Sequence, residues 1–139
     1  MIVGIGLDIV EIERLERILG QPHGPRFIEK VLTERERERW AALPARRRLE
    51  YVAGRFAAKE AVVKALGCGI GACVGFLDVE IVSGEDGRPV CRLSAAGWQR
   101  LGLQGDMHVV HVAITHERKL AAANAIVERL QQPPVGQQG

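Results

Sequence analysis

Cysteine is scarce in this 139-residue chain, aromatic residues make up only 4% of it, and long uncharged apolar runs are missing. Each shortage excludes something. Three cysteines (Cys68, Cys73 and Cys91) form an odd set without framework or zinc-ligand spacing, so reduced thiols in a cytoplasmic protein are expected. The few aromatics do not interleave with the basic residues, which argues against a stacking platform for nucleic acid. A net charge of +2 is also too small to argue for a polyanionic partner. The first ten residues are apolar but lack a basic leader, contain Asp8, and are too short for a secretion signal or a membrane span.

What is present has the size of one domain, able to bury about two-thirds of its unfolded surface. That domain is expected over residues 1–130, with a disordered Gln/Pro/Gly-rich tail over 131–139. Residues 2–9 read as a strand whose alternation puts Val3, Ile5, Leu7 and Ile9 on one face. Ile2, Gly4, Gly6 and Asp8 lie on the other, where the two glycines let another element or a ligand approach the backbone. Helices are expected over 11–19, 26–31 and 33–43, the last opened by a Thr33/Glu36 capping box. A long helix over 46–66 follows Pro44, and Gly67 suits its C-terminal cap. Hairpins over 76–93 and 108–127 flank a short helix capped by Ser94. Strands and helices do not alternate strictly, so the class is α+β.

The segment Arg55-Phe56-Ala57-Ala58-Lys59-Glu60-Ala61 is the most informative. The long helix carries an apolar stripe of Leu49, Val52, Phe56, Val63 and Leu66. Glu60 falls within about 40° of Phe56, near the middle of that stripe. A carboxylate on a core face is costly unless a cation meets it there. Lys59 and Lys64 flank the same face, so a metal-and-phosphate site is one reading. Asp8 could complete a Mg²⁺ half-shell if the helix packs across the glycine face of the first strand. The other reading is local: Asp8 ends the strand and Glu60 pairs with Lys64 at i, i+4.

The remaining motifs say less. Gly67, Cys68, Gly69, Ile70 and Gly71 match neither a Walker loop nor a dinucleotide fingerprint, and they follow a helix. They form either a cap and turn or a backbone surface for a flat ligand. His108, His111 and His116 share a strand, with His111 on the opposite face from the other two, which disfavours zinc. Arg35, Arg37 and Arg39 alternating with Glu34, Glu36 and Glu38 read as a solvated, salt-bridged helix face. Arg46, Arg47 and Arg48 could form a patch for an acidic partner.

Taken together, four stretches resemble the holo-acyl-carrier-protein synthases, the small bacterial type of 4′-phosphopantetheinyl transferase. They are Gly4-Ile5-Gly6-Leu7-Asp8-Ile9; Arg26-Phe27 through Leu32-Thr33 with Glu36; Gly54-Arg55-Phe56-Ala57-Ala58-Lys59-Glu60-Ala61 with Lys64-Ala65 and Gly67; and His111-Val112-Ala113-Ile114-Thr115-His116. The resemblance covers residues 1–130. It implies an antiparallel-rich sheet packed on one long helix, a homotrimer with sites between subunits, and Mg²⁺-dependent transfer of phosphopantetheine from coenzyme A to a serine of apo acyl carrier protein. It makes Asp8 and Glu60 metal ligands, with Glu60, Lys59 and Asp8 catalytic. Lys59 and Lys64 would contact phosphates, Arg55, Thr115 and His116 would surround the nucleotide, and Gly67, Cys68, Gly69, Ile70 and Gly71 would hold the adenine. Arg14, Arg26 and Phe27 would dock the acidic carrier protein, in fatty acid biosynthesis. Cys68 and Ala113 depart from the family's common hydroxyl residues; a lost hydroxyl contact at residue 113 would cost about 0.5–1.5 kcal/mol. The alternative is a non-catalytic basic module that binds acidic carrier proteins through Arg14, Arg26 and Arg46 to Arg48.

Overall fold

Two glycines on one strand determine how the molecule closes. The computed structural model describes residues 1–132, so most of the tail expected over 131–139 lies outside the described residues. Strand β1 (Ile2–Glu11) pairs antiparallel with β5 (Leu120–Arg129), which pairs antiparallel with β4 (His108–His116), in the order β1-β5-β4. The inner face of this sheet carries Gly4, Gly6, Ala121, Ala123 and Ala125. Helix α4 (Ala45–Ala65) lies directly on it. A Cβ on Gly4 would stand 1.8 Å from the Ala65 carbonyl oxygen, and one on Gly6 would stand 1.9 Å from that of Ala61. Only a bare backbone permits that approach.

The other elements close the far side of α4. Helices α1 (Ile12–Leu19), α2 (Gly24–Val31) and α3 (Glu34–Ala41) precede it. The expected capping box opens α3: Glu36 N donates to Thr33 Oγ1 at 3.3 Å and Thr33 N to Glu36 Oε1 at 2.8 Å. A separate antiparallel hairpin of β2 (Val79–Ser83) and β3 (Pro89–Leu93) follows, then α5 (Ala95–Leu101), capped by Ser94. Residues 76–78, expected as strand, form a single 3₁₀ turn. The mixed α+β class with antiparallel sheets is borne out.

Packed on both sides, α4 is buried nearly all round. Ala53, Ala57, Ala58, Ala61 and Val62 are fully buried as well as Val52 of the apolar stripe, so that stripe captured only part of its core contact. The outer sheet face is the opposite case. Ile5, Leu7 and Ile9 are 67%, 60% and 60% exposed, which leaves a row of large apolar side chains without a covering layer.

Candidate active site

The approach of α4 to the glycine face brings Asp8 and the second half of α4 together. Lys64 Nζ donates to Asp8 Oδ1 at 2.9 Å and to the Leu7 carbonyl oxygen at 3.1 Å. Lys64 therefore pairs with Asp8, which corrects the local i, i+4 reading with Glu60. Glu60 is half-buried, and it has no hydrogen-bond or ion-pair partner among the described residues. Its carboxyl is raised above the ordinary value, first by burial, then by the negative charge of Asp8, with Lys64 opposing both. Two carboxylates that repel each other, one of them unpartnered, make a cation-deficient site. Mg²⁺ takes one or two carboxylates and completes its shell with water and substrate phosphate. Asp8 and Glu60 fit that demand as a half-shell, although no cluster of three or more potential metal-binding side chains occurs among the described residues.

Lys59 is the main correction. It was expected beside the phosphates, but its side chain is 0% exposed and points to the other side of the helix. Its Nζ donates to Glu36 Oε1 at 2.6 Å, to the Phe76 carbonyl at 3.0 Å and to the Val31 carbonyl. Desolvation holds its pKa below the ordinary lysine value, with Glu36 pulling the other way. Glu36 also accepts from Ile81 N at 3.0 Å, so the pair ties α2, α3, α4 and β2 together. The charged run of α3 is thus not wholly solvated; Glu36 is 1% exposed. Its capping role is legible in the sequence, but its pairing with Lys59 is not, because that partner lies 23 residues away in the chain.

A second cluster forms at the other edge of the sheet. Arg55 and His116 line a cavity of ≈ 220 Å³ together with Arg39, Arg47, Tyr51 and Ser83. The Arg55 guanidinium lies 4.2 Å over the Tyr51 ring, and its Nε donates to the Ile81 carbonyl at 3.3 Å. Arg39, expected on a solvated helix face, and Arg47, expected in a patch for an acidic partner, converge here with Arg55 through the tertiary fold. Thr115 instead lies on the outer sheet face, exposed. Asp8 is on β1 and His116 on β4, with β5 between them, so about 10 Å of sheet separates their strands. The two clusters therefore sit at opposite edges of the three-stranded sheet.

The loop residues Gly67, Cys68, Gly69, Ile70 and Gly71 follow α4 directly, with positive φ at Gly67 (78°) and Gly71 (85°). Both conformations favour glycine. Arg14 and Arg26 are exposed, while Phe27 packs on Phe56 (centroids 5.9 Å apart), which stacks on Phe76 at 5.4 Å. The triple-arginine run is largely spent within the chain. Arg46 bonds Glu50 at 3.3 Å and the Arg118 carbonyl at 2.7 Å, and Arg48 bonds the Leu43 carbonyl at 2.8 Å and lies over Trp40.

Comparison with known proteins places this geometry in context. Residues 4–124 match the family model described as the 4′-phosphopantetheinyl transferase superfamily. A holo-[acyl-carrier-protein] synthase of Halalkalibacterium halodurans is 48% identical over 130 residues, covering 94% of this chain and 98% of that one. The crystal structure of a holo-(acyl-carrier-protein) synthase from Bacillus anthracis in complex with CoA (3′,5′-ADP) is 42% identical with a TM-score of 0.78, covering 93% of this chain and 98% of that one. The holo-[acyl-carrier-protein] synthase of Neisseria meningitidis superposes with a TM-score of 0.80 at 30% identity, covering 93% of this chain and all (100%) of that one.

Proposed function

The chain belongs to the 4′-phosphopantetheinyl transferase superfamily, and from that membership we infer that it transfers 4′-phosphopantetheine from coenzyme A to a serine hydroxyl of apo acyl carrier protein. The products are holo carrier protein and adenosine 3′,5′-bisphosphate. The serine oxygen attacks the phosphorus bearing the pantetheine and gives its proton to a nearby carboxylate or water, while the bond from that phosphorus to the bridging oxygen breaks and that oxygen leaves on the nucleotide phosphate. The observation that carries the site assignment is the meeting of Asp8, Lys64 and an unpartnered Glu60 at the edge of the sheet.

Asp8 and Glu60 would hold Mg²⁺, which when bound supplies positive charge against the diphosphate of coenzyme A. Lys64, already on Asp8, adds its ammonium to the charge growing on the leaving phosphate. Arg55 and His116, with Arg39 and Arg47, offer a basic cavity for the nucleotide phosphates. Thr115 borders that edge from the outer face. The backbone of Gly67, Cys68, Gly69, Ile70 and Gly71 would take the adenine. Lys59 acts through the fold: its bond to Glu36 fixes the turn of α4 that presents Glu60. Arg14 and Arg26, both exposed, and the half-buried Phe27 would meet an acidic carrier helix.

We further propose a homotrimer. The uncovered apolar row of Ile5, Leu7 and Ile9 supports an assembly through the outer sheet face, and half-sites on opposite edges favour completion of each site by a neighbour. Free thiols fit action in the cytoplasm, and no described helix is long and apolar enough to cross a membrane. The basic-module alternative is not favoured, because Arg46 and Arg48 are engaged by their own chain.

The test is direct. Incubation with coenzyme A, Mg²⁺ and apo carrier protein should add one phosphopantetheine to the carrier by mass spectrometry. The gain should vanish on chelation; no gain with any acyl carrier protein would end the assignment.

A further inference from the structure

The segment after α4 holds two thiols for which the transfer reaction has no use. Cys68 N donates to the Val63 carbonyl at 3.2 Å, ending the helix. The chain then doubles back: Ala72 N donates to Gly69 O at 3.1 Å, Gly71 N to Val74 O at 2.9 Å, and Ile70 bridges Val74. Cys68 and Cys73 therefore flank one four-residue turn, closed by the Ala72 N to Gly69 O bond. Both cysteines are partly exposed. Cys91 differs in environment; burial pushes its thiol up to about 12.

We propose that Cys68 and Cys73 are a redox-modifiable dithiol whose internal disulfide weakens coenzyme A binding by the loop that carries them. The second half of this statement rests on the reading of residues 67–71 as the adenine loop. The co-reactant is a low-molecular-weight disulfide. One cysteine, as thiolate, attacks it, breaking its sulfur–sulfur bond and releasing the first small thiolate. The other cysteine thiolate then displaces the second. Two electrons pass from the protein to the small disulfide, and the two protons lost by the cysteines end on the two small thiols. Burial, then the neighbouring Cys73 thiol, holds the Cys68 thiol above its ordinary range, so exchange quickens as pH rises. Bonding draws the sulfurs to about 2.05 Å and cinches a loop whose conformation depends on Gly67 and Gly71. A flat ligand that needs that loop to adjust then binds less well.

The test incubates the reduced protein with glutathione disulfide, followed by intact-mass and peptide mass spectrometry. The expected product has lost two hydrogens, links Cys68 to Cys73, leaves Cys91 free, and carries no glutathione. Its KM for coenzyme A rises severalfold with kcat held, and dithiothreitol reverses the rise. Cys73→Ser should keep the activity of the reduced protein, accept a single glutathione at Cys68, and form no internal bond. Glutathione retained on both cysteines, or a disulfide made through Cys91 or a second chain, overturns the dithiol. An internal disulfide with unchanged KM overturns its link to coenzyme binding. If reduced protein transfers nothing, the reading of the site fails, while the mass measurement still decides the dithiol.

Discussion

Replacing Lys59 by Met separates the two roles available to this residue. Methionine keeps a long side chain and removes the ammonium, leaving the Glu36 carboxylate 1% exposed with only the N–H groups of Thr33 (2.8 Å) and Ile81 (3.0 Å) to hold its charge. Breaking a buried pair from one side costs about 3–5 kcal/mol, chiefly through the charge left behind. A domain of this size has about 5–15 kcal/mol in total, so roughly a fifth or more of its stability is at stake. At about 3 °C per kcal/mol, Tm should fall by roughly 10–15 °C. Calorimetry at neutral pH measures this. The double variant Lys59→Met with Glu36→Gln should recover part of the loss, because the amide carries no charge and its one oxygen still accepts from one of the two N–H groups, while the other N–H loses its acceptor. Lys59→Met with an unchanged Tm and no transfer activity would refute the reasoning, and would return the ammonium to the phosphates.

The other predictions concern the half-sites and the surfaces that join them. Glu60→Gln should abolish transfer without lowering Tm. A carboxyl raised by the fold stabilises it below the unfolded pKa and loses that contribution as pH rises through the raised folded value, so the metal-free variant should match or exceed the parent at neutral pH and converge with it in acid; retained transfer, or a lower Tm, contradicts this. Gly6→Ala must drive a Cβ to 1.9 Å from the Ala61 carbonyl unless β1 and α4 separate, so a destabilisation of at least about 1–3 kcal/mol is expected by denaturant unfolding. Arg55→Ala and Arg47→Ala should each raise KM for coenzyme A roughly tenfold or more, as loss of a charge-assisted hydrogen bond requires, with the fold intact by circular dichroism. Ile5→Glu with Leu7→Glu should convert the assembly to monomers in sedimentation experiments and remove transfer; a parent that already sediments as a monomer would dispose of the trimer.

The features legible from sequence are those whose causes are local. Thr33 and Glu36 cap a helix because they stand three positions apart, and the two hairpins follow from short apolar runs around turns. Gly4 and Gly6 announced a close approach because a missing side chain on one strand face has few other uses. Lys59 was misplaced for a physical reason. An apolar stripe implies a helix with one buried face and one wet face, whereas α4 is enclosed by the sheet on one side and by α1, α2 and α3 on the other. Near the end of such a helix Lys64 stays exposed, but in the middle turns a lysine on the side away from the sheet must enter an interior, as Lys59 does. Its direction is then set by where a carboxylate and free carbonyls wait, and those come from Glu36, Val31 and Phe76, between 17 and 28 residues away in the chain. Glu60, one residue on, emerges at the opening beside Asp8, where Lys64 is already committed. The neighbouring Lys59 and Glu60 are thus divided by helix geometry into a pillar and the proposed metal ligand: a 100° step takes one ammonium into the core and leaves one carboxylate without a partner at the opening.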